Sequence, residues 1–157
     1  MMKKTVFLKL TISLAGLFVF ITCISLPAIF ESQRWLMNPD YAHIKSHLYI
    51  GLYSTLVPFY IALYQTGKLL QCIERQDAFS ETAANSLNII KNCAYAIAIL
   101  YLIGLLYAAL SDALQNGIAL TGLVILFSSL VISIFAMVLQ ELVKSAIEIK
   151  SENDLTV

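Results

Sequence analysis

Four long stretches of this chain carry no charged side chain. No Asp, Glu, Lys or Arg occurs from Leu10 to Phe30, from Ser46 to Gly67, from Asn92 to Ser111 or from Ala113 to Gln140. Each is at least as long as the roughly 20 residues a helix needs to cross a bilayer core of about 30 Å. Hydrocarbon offers the backbone no hydrogen-bond partner, so only a helix or a closed barrel crosses it. The stretches lack the strict alternation of barrel strands. They predict an all-α, polytopic membrane protein with four transmembrane helices in an up-down bundle, at approximately residues 10–30, 46–67, 92–111 and 118–140. Composition agrees. The chain is 59% apolar and 13% charged, with a mean hydropathy of +0.80, against roughly 45–50% and about 25% in a soluble domain. So few charges cannot cover a globular surface in water, which excludes a soluble enzyme or a disordered tail. A net charge of zero argues against direct nucleic-acid binding.

Lys and Arg set the expected orientation. Lys3, Lys4 and Lys9 precede the first stretch, Lys68, Arg75 and Lys91 lie between the second and third, and Lys144 and Lys150 follow the fourth. The opposite side carries Arg34 and Lys45. Basic residues accumulate on the cytoplasmic side, so both termini are expected in the cytoplasm, with a cytoplasmic loop over 68–91 and a tail over 141–157. Residues 1–30 also resemble a secretory signal peptide in their Lys3–Lys4 start. Their apolar run exceeds the usual 7–15 residues and no A-x-A-like site follows, so an uncleaved first helix is expected. Cys23, Cys72 and Cys93 fall in the first span or on the cytoplasmic side, and imply no disulfide framework.

Between these stretches the signals are local. Trp35 suits a membrane interface. Asn38–Pro39–Asp40 reads as the start of the second helix, with Asn38 as N-cap, and that helix is expected to run on through Leu69–Leu70. Pro58 removes a backbone donor in mid-span and should kink it. Asp77–Ala78–Phe79–Ser80 breaks the cytoplasmic segment, with Ser80 as N-cap of a helix leading into the third span. Residues Ser111 to Gly117 form a tight turn. Beyond the fourth span Leu142, Val143, Ala146, Ile147 and Ile149 continue a helix, and Lys144 and Glu148 are spaced for an ion pair. There are no repeats, so residues 1–157 read as one domain.

Helical spacing assigns faces. Tyr49, Tyr53, Tyr60 and Tyr64 fall within an arc of about 60°. The hydroxyls of Tyr53 and Tyr60 need partners in hydrocarbon, so this stripe faces other helices, either as a packed seam or as a polar conduit. Gly122, Ser129, Ser133, Ala136 and Gln140 form a small and polar face on the fourth helix. Ala94, Ala98, Tyr101, Ala108 and Asp112 do so on the third. Small residues let membrane helices approach closely. Tyr53, Tyr60, Ser129 and Ser133 are thus the candidate polar stripe of the bundle interior.

Catalytic chemistry is sparse. No span holds an Asp, Glu, Lys or Arg, which argues against ion-coupled transport. His43 and His47 are four apart with Asp40 one turn earlier, a spacing that suits either a metal or pH-sensing site or an ordinary exposed helix end. No nucleophile motif, phosphate loop or H-E-x-x-H is present. No enzymatic activity, cofactor or resident metal is expected.

Two segments carry a family resemblance. One is Phe79–Ser80 followed by Asn85, Leu87 and Ile90; the other is the run from Leu139 to Val157, ending Glu152–Asn153–Asp154–Leu155–Thr156–Val157. With Pro58 in the second span, the chain resembles the bacterial four-helix membrane proteins grouped as domain of unknown function 2975. It departs from them at Gln76–Asp77–Ala78, where the family pattern has a Gly- and Pro-containing turn. The resemblance implies no known activity. Such proteins are often encoded beside a small helix-turn-helix regulator, which implies a cytoplasmic DNA-binding partner. Acidic residues outnumber basic ones in the tail, which suits docking of a basic partner. The expected partner-binding residues are Phe79, Ser80, Glu148, Glu152, Asn153, Asp154, Leu155, Thr156 and Val157. The expectation is therefore a sensory or regulatory protein of the bacterial cytoplasmic membrane. Its partners are the lipid bilayer and that regulator, and homo-oligomerisation stays open. The rival is a self-protection or small-solute permeation protein working through the Tyr53/Tyr60 stripe.

Overall fold

The computed structural model describes residues 2–32, 42–111 and 116–155. All of the described regular structure is helical: α1 (Met2–Ser32), α2 (Ala42–Glu74), α3 (Glu81–Leu110) and α4 (Asn116–Leu155). Each uncharged stretch falls largely within one helix. Three segments are long and apolar enough to cross a membrane: Val6–Ser25, Glu81–Leu110 and Ala119–Asn153. α2 is as long as these, at 33 residues, but its tyrosines, His47 and Gln65 dilute its apolar character. It runs on through Pro58 and past Leu69–Leu70 to Glu74. The expected helix start at Asn38–Pro39–Asp40, the anchor Trp35 and Asp112 lie outside the described residues.

Side-chain contacts fix the topology. Lys9 meets Glu74, Gly16 meets Tyr60, and Cys23 meets Tyr53, so α1 and α2 are antiparallel. His47 lies against Tyr107, and Thr55 lies beside Tyr101, which reverses α3 on α2. Leu105 covers Gly122, and Ser133 donates to the Lys91 carbonyl, which reverses α4 on α3. The chain goes up and down as expected, but in a row rather than around a common interior. Among the described residues only consecutive helices pack closely, and the α3–α4 seam is the most extensive.

That seam is built from the two small-residue faces. Ala94, Ala98 and Ala108 are buried on α3, and Ser129, Ser133, Ala136 and Gln140 on α4. Gly122 allows the closest approach. A Cβ there would stand 2.7 Å from Leu105 Cδ2 and 3.1 Å from its Cγ.

The turn between α2 and α3 solves a backbone problem without the expected glycine. Gln76 takes a left-handed conformation at φ 60°. Its N–H donates to the Ile73 carbonyl at 3.2 Å, and the Asp77 N–H donates to Cys72 at 2.9 Å. This pair of bonds is the Schellman cap that normally places glycine at this position. Ser80 then caps α3 as its sequence predicts, with its hydroxyl accepting from the Ala83 N–H at 3.3 Å.

Replacing Gln76 by Gly should stabilise the protein by about 1 kcal/mol, because only glycine adopts this conformation without steric cost. A thermal unfolding curve in detergent checks this. Gly122→Ile should cost about 1–3 kcal/mol by overpacking the seam. Gly104, where an added Cβ would meet nothing within 4 Å, is the control: Gly104→Ala should leave stability equal or improved.

Candidate functional site

A concavity lined mostly by polar residues opens between the start of α3 and the far end of α4, with a volume of about 370 Å³. Glu81, Asn85 and Asn88 line one wall, at helical spacings of four and three. Gln140, Lys144 and Glu148 line the other, at spacings of four. Ala84 and Ile147 fill between them. The Ser80 cap positions this wall by starting α3 one residue before Glu81. Glu81 in the first turn is favoured by the helix dipole.

The end of the groove nearer the uncharged stretches is anchored by Lys91. Its Nζ donates to Gln140 Oε1 at 3.2 Å, while its carbonyl accepts from Ser133 Oγ at 3.2 Å. An ammonium can only donate, so Gln140 must turn its oxygen toward Lys91 and its NH₂ elsewhere. Gln140 is only 7% exposed, and it borders the groove. Among the described residues that NH₂ has no protein acceptor, and neither Glu81 nor Glu148 has an ionic partner. Lys144 does not pair with Glu148 as its spacing suggested. It lies 3.7 Å from Glu141, the order in which the acid precedes the base and the helix dipole helps. Both side chains are exposed, so the pair contributes little.

The sequence candidates scatter over the molecule. Of the expected partner-binding residues, Glu148 lines the groove, and Glu152 and Asn153 are exposed on the next turn of α4. Phe79 is exposed before α3, and Ser80 is engaged as its cap. The helix continues through Asp154 to Leu155, whose side chains, like Thr156 and Val157, lie outside the described residues. The polar stripe is divided between two seams. Tyr60 donates to the Gly16 carbonyl at 3.1 Å and Tyr53 to the Cys23 carbonyl at 3.5 Å, both on α1. Ser129 and Ser133 are buried against α3 instead. His47 lies with its ring 5.4 Å from that of Tyr107; the side chains of His43 and Asp40 lie outside the described residues. No group of three His, Cys, Asp or Glu among the described residues is placed to hold a metal.

Sequence reasoning missed the groove. Its signal was present as two polar rows, Glu81–Asn85–Asn88 and Gln140–Lys144–Glu148, each on one helical face. What was missing was the register that brings them opposite each other.

The family described as "protein of unknown function (DUF2975)" matches residues 29–157. The uncharacterized membrane protein YoaS of Bacillus subtilis (strain 168) is 46% identical over 158 residues, covering 98% of each chain. No solved structure matches.

Tyr60→Phe keeps the ring and removes the bond to Gly16. It should weaken the α1–α2 seam by about 0.6 kcal/mol and at most about 1.7 kcal/mol. Tyr64, 72% exposed, serves as reference. If unfolding of Tyr60→Phe in detergent matches that of Tyr64→Phe, the interhelical bond contributes nothing.

Proposed function

The chain belongs to the DUF2975 family, and from that membership we propose that this multi-pass membrane protein is a non-enzymatic regulatory component of the bacterial cytoplasmic membrane. It holds a basic cytoplasmic partner, of the helix-turn-helix regulator class, on the extension of α4. In this reading α2 is a fourth span. Its 33 residues reach about 50 Å at 1.5 Å each. It is uncharged from Ser46 to Gly67 and lies between two helices of spanning length. The distribution of Lys and Arg supports cytoplasmic termini and a cytoplasmic turn between α2 and α3.

The observation that carries the reading is the outer face of α4. Leu142 and Ile149 are 60% and 66% exposed, and their separation of seven residues puts them on one face. Ile149 stands nine residues beyond Gln140, or about 13 Å, where acyl chains no longer cover it. An exposed apolar face in water marks an interaction surface. Glu141 and Glu152 flank it and are exposed, so its complement is an apolar patch with a basic rim.

Crosslinking and affinity capture from native membranes test this with the full-length protein, a version lacking residues 151–157 and Ile149→Lys. A basic DNA-binding protein, identified by mass spectrometry, should be recovered with the full chain. Both variants should lose at least tenfold of it while still inserting into the membrane. Equal recovery with all three proteins would overturn the proposal, as would recovery of membrane subunits alone.

A further inference from the structure

The groove between α3 and α4 carries its charges in a definite order along the helices. The antiparallel register set by Ser133 on Lys91 and by Gly122 on Leu105 places Gln140 level with Asn88, Lys144 near Asn85, and Glu148 opposite Glu81. Passing outward from the end of the uncharged stretches, a ligand meets first an amide donor, then an ammonium, then two carboxylates. Successive layers are one helical turn, about 6 Å, apart.

That order excludes simple ligands. A lone cation between Glu81 and Glu148 would face Lys144 and leave the Gln140 NH₂ idle. A lone anion at Lys144 and Gln140 would be repelled by the carboxylates beyond. A zwitterion whose anion lies nearer the membrane and whose cation lies one turn further out matches Gln140, Lys144, Glu81 and Glu148 together. The phosphoethanolamine headgroup has that arrangement, with its phosphate at the acyl side and its ammonium outermost across a two-carbon linker. The groove begins at Gln140, where the uncharged part of α4 ends, and it is open at the side.

We infer that this groove binds the headgroup of an aminophospholipid of the adjoining leaflet. The phosphate accepts from Lys144 and from the Gln140 NH₂, and the primary ammonium donates to Glu81 and Glu148. A choline headgroup has no N–H to donate to the carboxylates, and a glycerol headgroup has no cation for them. The inference rests on α3 and α4 spanning the membrane and not on the partner. The face bearing Leu142 and Ile149 lies about half a turn from the groove.

The test is native mass spectrometry of the full-length protein released from nanodiscs containing equal parts of phosphatidylethanolamine, phosphatidylcholine and phosphatidylglycerol. Phosphatidylethanolamine should be retained about tenfold over the other two. Glu81→Gln with Glu148→Gln should abolish the preference, and Lys144→Met should lower retention of phosphatidylethanolamine itself. Both changes lie on exposed helix surface, and an unchanged unfolding temperature shows that the fold persists. Equal retention of the three lipids by the unmodified protein would overturn the inference, as would a preference that survives the double substitution. In phosphatidylcholine-only nanodiscs, free phosphoethanolamine is titrated while the Gln140 side-chain amide resonance is followed. No saturable shift up to millimolar concentration supports a membrane source. Saturation there without lipid enrichment overturns it in favour of a soluble ligand.

Discussion

Within hydrocarbon a helix gains nothing by hiding its apolar side chains from lipid, so association there depends on close backbone approach and on hydrogen bonds between helices. The structure follows from that constraint. Where α3 and α4 meet, alanines, serines and Gly122 remove bulk from both faces, and the seam is extensive. Where α1 meets α2, Gly16 is the one buried residue of the described part of α1. The seam is held there by tyrosine hydroxyls on backbone carbonyls and by the 2.6 Å ion pair of Lys9 with Glu74. The large apolar residues point outward along all of the candidate spans, where a soluble protein would expose its charges.

The same constraint explains a row in place of a closed bundle. A soluble four-helix protein closes because every apolar face must leave water. Here lipid covers the faces that no helix covers, and α1 and α4 form the two edges. Function is then sought at the ends of the helices and along their seams. The Tyr53/Tyr60 pair and the Ser129/Ser133 pair lie in different seams, and each tyrosine hydroxyl is engaged with α1. At the groove between the ends of α3 and α4, Glu81 and Glu148 have no ionic partner among the described residues.

How much of this was legible follows from what periodicity measures. Charge-free length located the helices, and spacing picked out the buried face of α4 and the buried alanines Ala94, Ala98 and Ala108 of α3, because each is a property of one helix. Ser80 was legible as a cap for the same reason. Which face meets which neighbour depends on the register between helices, and that is set by contacts such as Leu105 on Gly122 that no single segment encodes. The tyrosine and serine stripes therefore looked like one interior, and the two rows of the groove went unnoticed. Gln76 is a different case. Its left-handed cap is hidden from a reading that looks for glycine, because the two cap hydrogen bonds hold a residue whose own preference opposes them.

α4 carries residues of both candidate sites. It is one continuous helix of 40 residues, about 60 Å long, or twice the thickness of a bilayer core. Its buried side is committed to α3 through Gly122, Ser133 and Gln140, while the opposite side of its last turns carries Leu142 and Ile149. A residue at the lipid boundary and one on the outer surface thus belong to the same rigid element. Whatever occupies the groove touches Gln140, Lys144 and Glu148 on one side of that element, and whatever docks outside meets the other. The two sites share a helix without sharing a surface, so they are able to be filled together.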